Sequence, residues 1–261
     1  MRSQAFKAIC IGLIVSFFVA LSGCGKKEKI SSLNQLNGKE FAVPTGTVAD
    51  KLIISKLPNA KFQYFNSVLD AALAVKNGKA DAAGYDEPIL KNIAAKNGGL
   101  VVLQDMITKD SYGFAVQLSN QKLKESIDLV ISELKANGKY DAMLARWLPK
   151  TGNPGAMAEI TSSGSNGVLK LGTATITEPF SFVDGSQKAV GFDIELASYV
   201  AQKLDMKLEV VNMEFGALIP ALSSGKVDMI AACITITDER AKKVLFSEPY
   251  YIGGIAALVK N

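Results

Sequence analysis

The chain has 261 residues, 48% hydrophobic and 21% charged, with a formal charge of +4. That suits one large globular domain or two smaller ones, able to bury their cores without staples, and the charge is too mild to indicate nucleic acid. Histidine is absent, and the three cysteines, Cys10, Cys24 and Cys233, form no C-x-x-C pair. This excludes His-ligated metal and any Ser-His-Asp or Cys-His apparatus, and it argues against structural zinc or a dithiol redox centre. No cofactor is expected.

The first 24 residues, MRSQAFKAICIGLIVSFFVALSGC, open with Arg2 and Lys7 and continue in an apolar run from Ala8 to Leu21. That run falls short of the ~20 residues a spanning helix needs and reads as the hydrophobic region of a signal peptide. It ends in Leu21-Ser22-Gly23-Cys24, which resembles the lipobox of bacterial lipoproteins, and the resemblance implies acylation of Cys24. An ordinary signal peptide with an incidental cysteine is the alternative. Polar GKKEKISS follows as a tether, where Lys26 and Lys27 favour anionic lipid.

Beyond the tether, strands and helices alternate. Strands are predicted at 39–43, in AKFQYF, in ADAAGY, in LVVLQD and in YGFAVQL; helices at 48–57, in VLDAALAVKN behind a cap at Asn66 or Ser67, in EPILKNIAAKNG, in QKLKESIDLVISELKANG and in YDAMLARWL. Residues 151–167 are rich in Gly, Ser and Thr with no apolar period, and read as a linker, with a surface loop as the blander reading. The alternation then resumes with VLKLGTA, GFDIELASYVAQKL, KLEVVN, FGALIPALSSG, VDMIAA, TDERAKKV and a final strand IGGIAALVK. Such alternation points to parallel α/β sheets. One internal echo links the halves: VLDAALAVKNGKADAA (68–83) parallels FGALIPALSSGKVDMI (215–230), each an apolar helix, a glycine stop, a lysine and an aspartate opening a strand.

In CITITDERAKKVLFSEPYY (233–251), Thr237 is placed to cap a short helix and Arg240 offers a planar fork matched to a carboxylate. Spacing alone favours a capping threonine beside a solvent-facing arginine. In DAAGYDEP (81–88), Asp86 follows a strand, at the edge where α/β proteins bind ligands; alternatively Asp86 or Glu87 merely starts the next helix.

The segments ITITDER and FSEPYY, together with PFSFVDGSQKAVGFDIELA (179–197), resemble the type II periplasmic polar-amino-acid-binding proteins of ABC importers, the extracytoplasmic solute-binding proteins of family 3. The resemblance implies an α/β, two-lobed fold, each lobe a mostly parallel sheet flanked by helices. It implies that Thr235 and Arg240 hold a ligand α-carboxylate, that the Cys233 carbonyl accepts from the α-ammonium, and that Phe215 forms an aromatic wall. FAVPTGTVAD (41–50) matches the family's other lobe, which places Thr47 and the N–H of Val48 at a helix N-terminus facing the same carboxylate, a favourable place for an anion. Asp86 matches the family's aspartate for the ammonium. Ala174 stands where members binding basic amino acids often carry aspartate, and Thr177 where many carry an aromatic ring. A polar uncharged or small ligand is therefore expected, with Glu178, Thr45 and Tyr85 as candidate side-chain contacts.

The family's opening segment lies here past the middle of the chain, so the resemblance runs in swapped order and implies a circular permutation. The expected divisions are 1–23 signal peptide, 24–36 anchor and tether, 37–105 lobe 2, 106–150 hinge and return to lobe 1, 151–167 linker, and 168–261 lobe 1. One covalent crossing, near 104–113, is expected, with Lys260 and Asn261 close to Ile30–Leu33. A piece of a longer multidomain product is the rival to permutation. The implied function is capture of a polar amino acid by a lipid-anchored, extracytoplasmic monomer, for delivery to an ABC importer permease and without catalysis. The alternatives are a cyclohexadienyl dehydratase-like enzyme using Glu178, or a ligand-sensing lipoprotein without transport.

Overall fold

The computed structural model describes residues 29–149 and 154–261; the leader, Cys24, residue 150 and residues 151–153 of the expected linker lie outside them. A 3-10 turn at Leu33–Leu36 leads into β1 (Glu40–Pro44), α1 (Ala49–Lys56), β2 (Lys61–Phe65), α2 (Val68–Lys76), β3 (Ala82–Asp86), α3 (Glu87–Lys96) and β4 (Leu100–Val102). Then come β5 (Asp110–Tyr112), β6 (Ala115–Val116), α4 (Gln121–Ala136) and α5 (Lys139–Trp147). The second half supplies β7 (Val168–Thr173), β8 (Ile176–Thr177), β9 (Ser181–Val183), β10 (Ala189–Val190), α6 (Phe192–Lys203) and β11 (Lys207–Asn212). A 3-10 turn at Phe215–Ala217 precedes α7 (Leu218–Ser223), β12 (Met229–Ile230), α8 (Asp238–Ala241), β13 (Leu245–Phe246), β14 (Tyr251–Gly253) and β15 (Ile255–Lys260).

Two five-stranded sheets organise these elements, in the orders β2-β1-β3-β15-β4 and β11-β7-β12-β6-β13. In each, the first three strands run parallel and the fourth antiparallel. The chain is thus α/β with two lobes. The elements follow from local chemistry. Ser67 caps α2, accepting from the Asp70 N–H at 3.1 Å. Helix α4 buries Leu123, Ile127, Val130, Ile131 and Leu134, one stripe at helical spacing. Strand β3 is buried along its whole length, as a central parallel strand must be.

Three expectations are corrected. The stretch YGFAVQL is two strands, β5 and β6, parted at Gly113, whose N–H donates to the Ile234 carbonyl at 3.1 Å. The expected final strand IGGIAALVK is also two, parted at Gly254, where φ is +150° and a Cβ would lie 2.1 Å from the Thr108 carbonyl oxygen; only glycine fits there. Finally, β15 belongs to the sheet of β1–β4, not to the lobe expected to contain 168–261. The chain therefore passes between lobes twice, through β5 and through β14, which pair antiparallel as a two-stranded ribbon. The single covalent crossing expected near 104–113 is wrong, because the second crossing is completed before the chain reaches Lys260.

Residues 154–167 contain neither helix nor strand. They are fastened to the end of α6: the hydroxyls of Ser162, Ser163 and Ser165 all reach the Asp205 carboxylate, at 3.0, 2.7 and 2.5 Å. Trp147 and Arg146, at the end of α5, grip the buried Glu195 of α6 at 2.7 and 2.6 Å. At the other end of the molecule, the Lys29 ammonium donates to the Asn261 side-chain oxygen at 2.8 Å, and Ile30 and Lys260 line the same crevice.

Candidate functional site

A cavity of about 490 Å³ opens between the two lobes. The β1–α1 turn supplies Thr45, Gly46 and Thr47; β3 supplies Tyr85; the opposite lobe supplies Ala174, Thr177 and Phe215. The turn is shaped by Gly46, with φ +79°, which approaches so closely that a Cβ there would lie 3.2 Å from the Gly216 Cα across the gap. A smaller adjoining space of about 60 Å³ is lined by Gly46, Phe215, Gly216 and Arg240, among others.

Arg240 stands on α8, which Thr237 caps by accepting the Arg240 N–H at 3.2 Å. Its guanidinium lies 5.4 Å from the Phe215 ring centroid and donates to the Thr235 carbonyl at 3.0 Å. It is 8% exposed, so the solvent-facing alternative is overturned. Among the described residues the cations in ion pairs are Lys51, Lys91, Lys96, Lys124, Arg146 and Lys203, and Arg240 is not one of them. Burial lowers its pKa, while Tyr85, Asp86 and Glu239 oppose the shift. A desolvated cation without an anion is costly, and a carboxylate brought to it would offset that cost.

The complementary group is Asp86, at the end of β3 and 5% exposed. It occupies the N-cap position of α3 without a side-chain cap bond, and Glu87 is the first residue of that helix. Burial pushes its carboxyl up to about 7, against the opposing pull of a hydrogen bond from the Tyr112 hydroxyl; Asp110 adds to the rise and Arg240 opposes it. Cys233 and Thr235 are buried beneath the wall. Cys233 has φ +52°, and its N–H donates at 3.1 Å to Asp193, a carboxylate with no exposed surface that burial also raises to about 7.

The expected residues are not all presented alike. Thr45, Thr47, Tyr85, Thr177 and Phe215 line the main cavity, and Arg240 the smaller one. Val48 is half-buried at the start of α1, without a side-chain cap bond of its own. Two threonines turn their hydroxyls inward: Thr47 donates to the Pro44 carbonyl at 2.9 Å, and Thr177 lies 3.0 Å from the Ala174 carbonyl. Glu178 is not poised over the cavity. It pairs across the lobes with Lys96 of α3 at 2.5 Å. A second pair, Lys51 to Glu239 at 2.7 Å, also spans the lobes. Neither ion pair was expected, since their partners are 82 and 188 residues apart.

Residues 169–261 match the model of the bacterial extracellular solute-binding proteins, family 3. That segment, about a third of the chain, is similar to this family. The matched stretch carries Thr177, Phe215, Cys233, Thr235 and Arg240, whereas Thr45, Thr47, Val48, Tyr85 and Asp86 lie outside it. Among similar proteins, a probable histidine-binding protein of Campylobacter jejuni is 46% identical over 84 residues, 32% of either chain. The arginine-binding extracellular protein ArtP of Bacillus subtilis is 41% identical over 98 residues, 37% of this chain and 38% of that one. The L-cystine-binding protein TcyJ of Escherichia coli is 37% identical over 95 residues, 36% of each. The chain thus spans about a third of the length of these curated relatives. Among solved structures, an ancestral arginine-binding protein bound to arginine is 50% identical over 32% of this chain and 37% of that chain, with a TM-score of 0.32. Among the described residues, no helix is long and apolar enough to cross a membrane.

Proposed function

We propose that this protein captures a polar amino acid between its lobes and delivers it to an ABC importer. The observation that carries this reading is a pair of buried, opposite, mutually unbonded charges: Arg240 from one lobe and Asp86 from the other. An α-amino acid zwitterion presents the complement to both at once. Arg240 and the Thr235 backbone take the carboxylate, with the Thr47–Val48 end of α1 facing it, and Asp86 and the Cys233 carbonyl take the ammonium. A charge-assisted hydrogen bond contributes ~1.5–3 kcal/mol, well under the ~8.2 kcal/mol of micromolar binding, so contacts from both lobes are needed, and ligand then favours the closed state.

The cavity lining includes Thr45, Asn66, Ser67 and Thr177, with Glu214 as its one carboxylate. That lining favours an uncharged polar ligand. The relatives' names, which include histidine-, arginine- and L-cystine-binding proteins, support an amino acid as the cargo class. We further infer a lipid anchor at Cys24, from the LSGC sequence and the polar stretch behind it, and a circular permutation. The permutation is supported by the closeness of Lys29 to Asn261 and by the family match falling in the second half of the chain.

A thermal-shift screen of the common amino acids tests the central reading, since a ligand at 100 times its Kd stabilises by about 2.7 kcal/mol. Absence of any shift overturns it. Cys24→Ala is expected to release the protein from membranes without changing affinity; retention of the variant on membranes after a high-salt wash refutes the anchor.

A further inference from the structure

Tyr112 sits in β5, the first crossing between the lobes, with no exposed surface. Its ring stacks on Tyr251 of the second crossing, with centroids 5.7 Å apart, and meets Phe180 edge-on at 6.1 Å. Its hydroxyl makes two bonds: it donates to Asp86 Oδ1 and accepts the Gly254 N–H at 3.2 Å. Gly254 is the residue at which the second crossing turns into β15. One oxygen atom therefore joins both crossings to the end of β3. The sequence makes room for it at Gly253, where a Cβ would lie 2.4 Å from the hydroxyl oxygen. The two consecutive glycines of the second crossing thus serve different needs, space for the Tyr112 hydroxyl at 253 and a left-side backbone angle at 254.

We propose that Tyr112 is a positioning residue that orients Asp86 for the ligand's ammonium and ties that carboxylate to both crossings, so that the hinge registers whether an ammonium is bound. The inference rests on the reading of Asp86 given above. Asp86 has the Tyr112 hydroxyl as a hydrogen-bond donor. An arriving ammonium draws on the same carboxylate, which changes the load on the Tyr112 hydroxyl and, through it, on the Gly254 N–H. The charged and titratable groups facing Asp86 are Tyr85 on its own strand, Tyr112 and Asp110 on β5, Tyr251 on β14, Arg240 on α8, and the Cys233 thiol beside the binding turn. Asp86 must be ionised to hold an ammonium, so affinity falls as pH drops below about 7. The Tyr112 bond favours the ionised form, so its removal moves that fall to higher pH.

The test uses the full chain with L-glutamine, L-histidine, L-arginine and L-cystine as probes, and the 2-desamino analogue of whichever binds most tightly. Tyr112→Phe keeps the ring and removes the hydroxyl. It is expected to bind the amino acid roughly tenfold more weakly, about 1.4 kcal/mol, with the acid midpoint of binding displaced upward and no change toward the desamino analogue. Gly253→Ala, which crowds the hydroxyl out, should act in the same direction, and the double variant should be no worse than Tyr112→Phe, since neighbours in one network do not add. Wild-type protein gives a reading that needs no variant: at saturation, the amino acid should alter hydrogen exchange at the Gly254 amide more than the desamino analogue does. If Tyr112→Phe keeps wild-type affinity and midpoint, or if both ligands affect Gly254 equally, the inference is overturned. If Asp86→Asn binds all probes as tightly as wild type, the amino-acid reading itself fails, and the inference with it.

Discussion

The two lobes are built on one repeated unit and diverge immediately after it. In one, α2 ends at Gly78 with φ +74°, Lys79 donates its N–H to the Ala74 carbonyl at 2.8 Å, and the Asp81 carboxylate accepts the Glu40 N–H at 3.1 Å. In the other, α7 ends at Gly225 with the same φ of +74°, Lys226 donates to Ala221 at 2.9 Å, and Asp228 accepts the Lys170 N–H at 2.7 Å. The units then part. After Asp81, β3 runs for five buried residues and ends on a carboxylate, Asp86. After Asp228, β12 is only two residues long and gives way to Cys233 in a left-handed conformation and to the helix of Arg240. The scaffold is shared, and the charge that each lobe brings to the cleft depends on how its strand ends.

That comparison can be broken at its ends first. Arg240→Ala should cost about a hundredfold in amino-acid affinity by calorimetry, in line with loss of a charge-assisted hydrogen bond at ~1.5–3 kcal/mol; a loss under tenfold would remove Arg240 from recognition. Asp86→Asn should come next, with its effect confined to ligands that carry an ammonium.

The paired carboxylates Asp86 and Asp193, one in each lobe, make a pH prediction with two opposite signs. Both are raised by burial to about 7, far above the ordinary aspartate value of 3.8. Between those values the folded chain holds more protons than the unfolded one, so ligand-free stability falls as pH rises from about 4 through 7. Affinity for an amino acid rises over the upper part of that range, because Asp86 must be ionised. Melting scans with and without ligand should therefore show the apo Tm highest on the acid side and the ligand-induced shift largest on the alkaline side. Asp193→Asn should reduce the first trend while leaving the pH dependence of affinity in place.

The shared unit can be sharpened by cutting it in both copies. Asp81→Ala and Asp228→Ala each strand a backbone N–H in a neighbouring strand. Each should destabilise the chain by about 1–2 kcal/mol in urea, with little effect on affinity. A large affinity loss in only one would show that the two copies are not equivalent supports. The smallest effects belong to the ion pairs that span the cleft. Lys96→Ala should weaken binding by less than about fivefold and Lys51→Ala by less still, since exposed pairs contribute little and the Lys51–Glu239 pair is about 65% exposed on both sides. Raising the salt concentration should erase both differences.

Much of this frame could be read from sequence because its signals are local. Ser67 before α2, Thr237 before α8, and the glycine-lysine stops each act within three to five residues of themselves. The strands β8, β9, β10 and β13 have two or three residues each, too few to express a period. The sheet membership of β15 was misread because pairing is a non-local choice: IAALVK is buried at five of its six positions and carries no mark of which sheet it enters. At the candidate site, Arg240, Phe215 and Asp86 stand in motifs that single them out in the sequence, whereas Tyr112 looked like any strand aromatic. Gly253-Gly254 was the available clue, since paired glycines inside a strand pattern signal a close backbone approach.

The exchange of strands between halves has a consequence for the order in which the molecule can form. Strands β3 and β4 are not neighbours; β15 lies between them and bonds to both. During synthesis, residues 40–102 can wind β1, β2 and β3 together early, but the slot beside β3 stays open until residues 255–260 exist. Throughout that interval β3 offers a bare, apolar strand edge, the kind that invites pairing with another chain. The final six-residue strand is therefore the step that closes the earliest-made lobe. Amide protection along β3 and β4 should appear late in refolding, together with that of β15, although β3 itself is encoded in the first third of the chain.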